Sequence, residues 1–511
     1  MPRWILGLYF YFYFLPFYSL SPNPMASLEE IRTERLKKLE ILKSRGIDAY
    51  PSKVPRDMSL AGLRANFADI ESKKEVVNLV GRVMAIRGQG AIQFIVLNDG
   101  TATFQAVFKL DVLGQEPMSF FSEVADIGDF IGVTGELFVT QRGENSIMAK
   151  SWTMAAKSLR PLPEKWHGLQ DPEEKLRQRY LDILFDDELR DLFVKKSKFW
   201  NAIRTFLLNE GFLEVETPVL ENTTGGADAK PFATHHNALD LDVFLRISCG
   251  ELWQKRLMVA GYNKVFEIGR IFRNEGMSAE HAQDYTQLEF YWAYANYEDG
   301  MKLVERMYKE VAMAAFGTLQ FAIHGHDVDL SKPWDRYDYT ETIKKFTDID
   351  ITTASIADIE SALKRLKVDY DKKGWNRIRA TDTLWKYCRK KLAGPGFLVN
   401  VPVEMSPLAK LAKGGVVVEQ FQPIIAGSEV GKGYSELNDP VDQASRFQTQ
   451  QDMRDQGDDE AQMFDHDFVE ALEHGMPPTC GFGVSERLFA FLADKPIRET
   501  QIFPLLKPKA K

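Results

Sequence analysis

The 511-residue chain is poor in cysteine: Cys249, Cys388 and Cys480 lie far apart and form no C-x-x-C pair. That spacing supports neither a disulfide framework nor a cysteine zinc site, and a reducing, cytoplasmic compartment is the simplest expectation. An excess of basic charge is lacking too. The formal net charge of −9 argues against a generally basic nucleic-acid coat, although a local basic face can still grip a polyanion. There is no internal repeat and no low-complexity tract. One apolar, aromatic run stands out in the first 24 residues, which contain "WILGLYFYFYFLPFYSL". This run is slightly short for a spanning helix, is broken by Pro16 and lacks a small-residue cleavage site. We therefore expect residues 1–24 to lie upstream of the true start, Met25, and expect no membrane partner.

What is present reads as two or three soluble globular domains, with 44% hydrophobic and 27% charged residues. Residues 25–75 open with "SLEEIRTERLKKLEILKSRG", where Leu28, Ile31, Leu36, Leu39 and Leu42 recur at mostly helical spacing. Ser27 is placed to cap the start of this helix and Gly46 its end. Over residues 76–160, short β-type runs separated by turns such as "NDGT" and "QRGEN" suit a small Greek-key barrel of the OB type. Arg82, Phe94 and Gln105 are its candidate RNA-facing residues, because an aromatic ring can stack a base while polar neighbours read its edge. Taken alone, Phe94 reads better as barrel core. Residues 161–185 read as a linker giving way to a helix. From 186 to 511, long apolar strands mix with helices without a βαβ rhythm, which predicts an α+β domain on a mostly antiparallel sheet.

The chemistry concentrates at "KVFEIGRIFRNEG" and "DYTQLEFYWAY". If the first is a strand, its odd-numbered residues share one face, with Arg273 and Glu275 at its end. In the second, Tyr285, Gln287, Glu289 and Tyr291 also alternate onto one face. A ribbon that gathers an arginine, carboxylates and aromatics on one side expects a charged ligand, since buried charge without a partner is costly.

These segments resemble the class II aminoacyl-tRNA synthetases, and the lysyl-tRNA synthetases in particular. "GFLEVETPVL" resembles the first motif of that family, with Pro218 near the dimer interface. "FRNEG" with "EHAQDYTQLEFYWAY" resembles the second, and "GFGVSERLFAFL" the third. "TGGADAKPFATHHNALDLDVFLRIS", "YSELNDPVDQASRF" and "IRETQIFPLLKP" are closest to the lysyl enzymes. The resemblance implies a homodimer that joins L-lysine to tRNA(Lys) using ATP and Mg²⁺. It implies that Arg273 holds the α-phosphate, that Glu275 accepts from the adenine amino group and that Tyr285 stacks on adenine. His281 and Arg487 would contact the outer phosphates, and Arg273 and Arg487 are the implied catalytic pair. Glu251, Glu289, Tyr291 and Glu436 would surround lysine, with Gly226 allowing close backbone approach and Tyr434 beside the aliphatic stem. Glu429 and Gln422 would lie at the metal, Glu429 as its ligand.

Several positions depart from the family pattern. Lys432 stands where an asparagine is usual and would repel a cationic substrate unless it turns away or pairs with Glu436 or Glu429. Gln422 replaces a metal-binding glutamate, and Glu280 stands where an arginine is common. "ISCGELWQ" carries one extra residue before Glu251, and "GFGVSER" is spaced one residue wider than G-x-G-x-x-R. Gly431 and Gly433 could form a bulge that turns Glu429 and Glu436 to the same side. Cys249 and Cys480 read as buried fillers, and the adjacent His235 and His236 as structural hydrogen-bonders rather than zinc ligands. Two rival functions follow: an aspartyl or asparaginyl enzyme, whose pocket would need a basic residue, and an inactive synthetase-like RNA-binding or regulatory protein.

Overall fold

The computed structural model describes residues 27–163, 170–227, 229–276, 281–370, 375–456 and 461–509. Residues 1–24, Met25 and Glu280 lie outside the described residues. The chain divides into two compact units, Met1–Leu169 and Gln170–Lys511. Pro172–Arg177 and Arg179–Phe185, within the span read as linker, form two short helices of the second unit.

In the first unit, β1 (Val76–Arg87), β2 (Ile92–Asn98), β3 (Thr103–Lys109), β4 (Phe130–Val139) and β5 (Asn145–Ala156) close into a barrel. The order is β1-β2-β3-β5-β4, the OB arrangement that the turn spacing predicts. Alternate residues such as Leu79, Val83, Ile95 and Leu97 point inward and are fully buried. Register then fixes the outer face: Arg82 lies opposite Asn98, Phe94 opposite Val107 and Gln105 opposite Val96. Phe94 is accordingly half-buried on the outside of the barrel, not part of its core. The Arg82 guanidinium rests 4.3 Å from the Phe130 ring centre, and Gln105 donates to Ser146 Oγ at 2.9 Å.

The N-terminal helix, Leu28–Ser44, begins at Ser27 in a reciprocal cap with Glu30 and buries Leu39 and Leu42 against the barrel. A charge network anchors it. Lys38 reaches Asp126 at 2.7 Å, while the fully buried Lys157 bridges Asp126 (2.5 Å) and Asp129 (2.8 Å).

The second unit is built on a nine-stranded sheet. Its strands are β6 (Leu213–Glu214), β10 (Lys264–Phe272), β11 (Asp284–Ala293), β14 (Asp335–Asp338), β15 (Gly396–Val399), β16 (Gln420–Ile425), β17 (Ser428–Glu429), β18 (Lys432–Ser435) and β19 (Thr479–Ser485). They run in the order β14-β15-β16-β18-β19-β11-β10-β6, with β17 paired to β16. Only the β14–β15 and β10–β6 pairs are parallel, so the mostly antiparallel α+β domain is as expected. Smaller sheets flank it: β7 (Leu220–Glu221), β8 (Ala233–His236) and β9 (Leu241–Leu245), and the hairpin β12 (Gln320–Ile323) and β13 (His326–Asp329).

Two amphipathic helices, Asp187–Asn209 and Tyr297–Phe316, cover one face of the large sheet. Phe199, Phe206, Val304 and Met307 pack there against the even-numbered strand residues Phe266, Leu288, Phe290 and Phe482. Because side chains alternate, the odd-numbered residues of β10 and β11 face the other way, where the site forms. Among the described residues, no helix is long and apolar enough to cross a membrane.

Removing a charge from a buried pair leaves its partner uncompensated in a poorly solvated place. Lys157→Met should therefore destabilise the first unit by about 3 kcal/mol, read as an earlier denaturant transition of that unit in the full chain.

Candidate active site

The ladder between β10 and β11 sets the floor of the site. Val265 pairs with Tyr291, Glu267 with Glu289, Gly269 with Gln287 and Ile271 with Tyr285, so the odd residues of both strands share a face as expected. Beyond the last pair, the Arg273 N–H donates to Gln283 O at 2.7 Å and extends the ladder one step. On the far side, Glu289 lies opposite Gly483 and Gly483 opposite Lys432. A cleft of about 400 Å³ opens over this face. Among its lining residues are Gly226, Glu251, Arg273, Glu275, His281, Tyr285, Glu289, Tyr291, Gln422, Glu429, Tyr434, Glu436 and Arg487. Every residue that the resemblance assigned to ATP, lysine or metal thus meets in one cavity.

One end of the cleft is acidic and buried. Glu289 accepts from the Cys249 N–H (2.7 Å), Gln287 Nε2 (2.6 Å) and the Tyr291 hydroxyl (3.0 Å). Glu251 accepts from the Tyr434 hydroxyl at 2.5 Å. Behind them the Lys255 ammonium lies 2.7 Å from Glu251 Oε1 and 2.6 Å from Glu436 Oε2, and its side chain is only 1% exposed. Sequence reasoning missed Lys255. The signal that could have found it was its position four residues after Glu251 on one helix, Glu251–Val259.

Burial, followed by repulsion from Glu251, raises Glu289 to about 8 despite its three donors. Burial likewise raises Glu436 to about 8, against the pull of Lys255. Burial opposes the charge on Lys255, yet Glu251 and Glu436 hold its pKa above the usual value. Such a cluster stays poorly compensated until further positive charge arrives.

Glycines make room for these carboxylates. A Cβ on Gly481 would collide with Glu436 Oε1, and one on Gly483 would lie 3.3 Å from Glu289 Cγ. The two glycines are therefore matched to two glutamates arriving from neighbouring strands. Just before Glu251, Gly250 with a φ of 74° turns the chain into the helix beside Thr217. Gly226, with φ of 85°, packs against Ser248 and Glu251, and its N–H donates to Gln462 Oε1 at 3.3 Å. Gln462, a lining residue also missed in the sequence, comes from beyond the helix Pro440–Asp455 and carries no motif.

The other end is basic. The Arg273 Nε donates to Ile247 O at 3.2 Å, and its guanidinium carbon sits 5.8 Å from the Tyr285 ring centre. Arg487 opens the helix Arg487–Leu492 directly after β19, which aims it into the cleft. Lys432 shares the cleft-facing side of β18 with Tyr434 and is exposed. Among the described residues it forms no ion pair. It therefore does not pair with Glu436, which Lys255 already engages, nor with Glu429, which accepts from Trp385 Nε1 at 2.5 Å. Glu429 and Glu436 reach the same cavity because β17 and β18 are separate strands, broken at Val430 and at Gly431 with its φ of 147°. Gly433 contributes by close packing instead: a Cβ there would lie 2.6 Å from the Phe421 ring.

Gln422 and Glu429 present one amide and one carboxylate to the cleft, and no group of three His, Cys, Asp or Glu side chains is placed to hold a metal among the described residues. That sparse set fits magnesium bound chiefly through substrate phosphates, since Mg²⁺ commonly keeps waters and takes one or two carboxylates. Burial raises the Cys249 and Cys480 thiols well above their usual pKa, so neither is a thiolate nucleophile. His235 hydrogen-bonds Asp242 at 2.8 Å and His236 accepts from the Leu239 N–H at 3.2 Å, both on exposed β8.

Comparison with known proteins agrees with this geometry. Residues 171–507 match the family described as tRNA synthetases class II (D, K and N), and residues 77–155 match the OB-fold nucleic acid binding domain. A protein of Thermotoga maritima named Lysine--tRNA ligase is 42% identical over 489 residues, covering 94% of this chain and 97% of its own length. Like-named proteins of Clostridium perfringens and Pelotomaculum thermopropionicum are also 42% identical, each covering at least 94% of this chain and 96% of its own length.

The raised Glu289 carries a stability signature. Its folded value of about 8 lies above the ordinary 4.5, so its contribution is fully present below about pH 4.5 and lost as pH rises through about 8. Glu289→Gln removes that loss. Without ligand, the variant should come closest to the parent in unfolding temperature at about pH 4 and exceed it by a growing margin up to about pH 8.5, measured by thermal denaturation.

Proposed function

The chain belongs to the class II aminoacyl-tRNA synthetases, in the branch of the lysine--tRNA ligases, and from that premise we propose how its site divides the work of joining lysine to tRNA with ATP. The observation that carries the reading is a single cleft with three glutamates at one end and two arginines at the other. The glutamates receive the ammonium groups of lysine, and the arginines receive the triphosphate. An aspartyl or asparaginyl pocket would need basic residues where this one has Glu251, Glu289 and Glu436. A neutral amino acid would leave these carboxylates without partners, and sites of that kind reject analogues by roughly 10⁴- to 10⁵-fold.

In the first step, a carboxylate oxygen of lysine attacks the α-phosphorus, and the bond to the β-phosphate oxygen breaks to release pyrophosphate. The nucleophile is already ionised at neutral pH, so no general base is needed and alignment carries the rate. Arg273 holds the α-phosphate, where its planar fork fixes direction as well as charge. Tyr285 stacks on adenine and Glu275 accepts from its amino group, while His281 and Arg487 hold the outer phosphates. Gly226 and Tyr434 fit the backbone and stem of lysine, and Tyr291 with Glu289 meets an ammonium. Glu429 with Gln422 would hold magnesium, which would supply charge neutralisation at the phosphates. In the second step, a ribose hydroxyl at the tRNA 3′ end attacks the adenylate carbonyl, and AMP leaves.

Arg82, Phe94 and Gln105, outward on the barrel, form the proposed anticodon face. The apolar exposed residues Leu213, Val219 and Leu220 around Pro218 suit a homodimer contact, which sedimentation would test. We assign the protein to the cytoplasm.

The purified protein should exchange pyrophosphate into ATP with lysine and with no uncharged or acidic amino acid. Preference for a non-cationic amino acid would end the lysine reading, and Arg273→Ala should lower kcat/KM by roughly 10²- to 10³-fold. Gln422→Glu, which restores a carboxylate beside Glu429, should lower the Mg²⁺ concentration giving half-maximal exchange.

A further inference from the structure

Lys255 touches two side chains that form the cleft without lining the cleft itself. It projects from the helix Glu251–Val259, one turn after Glu251, into a wall made by several elements. Glu251 faces it from its own helix, and Tyr291 faces it from β11. Tyr434 and Glu436 face it from β18 and the residue just past that strand, and Phe468 from the helix His466–Glu473. The three rings lie 5.6 to 5.9 Å from its ammonium, leaving the two carboxylates as its ionic partners. Glu289 differs from those two, being held by a backbone N–H, an amide and a hydroxyl, all of them neutral.

The charges can be counted. When all are ionised, Glu251, Glu289 and Glu436 bring three negative charges and Lys255 one positive charge, which leaves two to be balanced by an arriving ligand or, in the empty pocket, by protons. Free lysine carries two ammonium groups. Its carboxylate belongs with Arg273 at the other end of the cleft, so the two ammonium groups and the resident one balance the three glutamates. We propose that Lys255 is a positioning residue which sets the charge of the amino-acid pocket: by pairing with Glu251 and Glu436 from behind, it holds both toward the cleft and leaves the deficit that a two-ammonium amino acid fills. The inference rests on the lysine reading of the site.

Without Lys255, three carboxylates share a buried space with no cation, and the pocket holds its protons more tightly than in the parent, so that lysine displaces them only at higher pH. In Lys255→Met, the pH at which the KM for lysine falls should move upward by about one unit, a roughly tenfold rise in KM near neutrality, with the KM for ATP unchanged. Lys255→Arg should return that transition toward the parent pH. The double variant Lys255→Met/Glu436→Gln removes one charge of each sign, restores the deficit of two and should also bring it back. A merely structural role for Lys255 predicts the reverse, with the double variant worse than the single one and both KM values affected together. The double variant also leaves no unpaired Glu436 charge to unfold the protein, so the comparison with the parent holds even if Lys255→Met folds poorly. An unshifted transition in Lys255→Met, or a double variant that stays shifted, overturns the proposal. Absence of lysine-dependent exchange in the parent would instead overturn the lysine reading itself.

Discussion

Three carboxylates brought together out of water are the constraint around which the second unit is arranged. Glu251, Glu289 and Glu436 come from a helix start, a central strand and a strand end, and each is almost fully buried. Burying charge in this way is tolerated only where partners are supplied. The surroundings supply them piecemeal: a peptide N–H from Cys249, the Gln287 amide, the hydroxyls of Tyr291 and Tyr434, and the ammonium of Lys255. Gly481 and Gly483 exist in β19 as the space those side chains require. The cluster shapes its neighbours as much as they hold it.

From that arrangement follows a cleft polarised along its length. An amino acid with cationic groups at one end and a carboxylate at the other is drawn in with its carboxylate toward Arg273, which is where a phosphorus atom must be met. Orientation is then a consequence of charge, and the reaction asks little else of the protein. The rigid floor helps, because β10, β11 and β19 are locked by ladders on both sides and backed by the Phe266, Leu288 and Phe290 core.

Much of this was legible in the sequence, for a physical reason. Alternation in "DYTQLEFYWAY" is a period-two signal, and the register of β10 against β11 converts it directly into a shared face, so Tyr285, Gln287, Glu289 and Tyr291 could be grouped before any fold was known. The barrel strands were legible for the same reason, and so was the outward position of Arg82 and Gln105. What lay hidden depended on contacts between distant segments. Lys255 reads as an ordinary helical lysine until Glu436, far along the chain, closes over it. The route by which Glu429 and Glu436 share a cavity needed the break at Gly431, where a bulge within one strand was the nearest guess from spacing. Lys432 was expected to find a carboxylate if it stayed near the pocket, but those carboxylates are engaged elsewhere.

The central claim is that the acidic end of the cleft is short of positive charge and that lysine supplies it. Calorimetric titration of lysine into the purified protein, in buffers of different ionisation enthalpy, measures this directly by counting protons exchanged on binding. Because burial holds Glu289 and Glu436 protonated well above the usual carboxylate range in the empty site, binding at pH 7 should release protons to the buffer, and the release should fade as the pH is raised. Lysine binding with no proton exchange at pH 7, or no binding at all, would contradict the account.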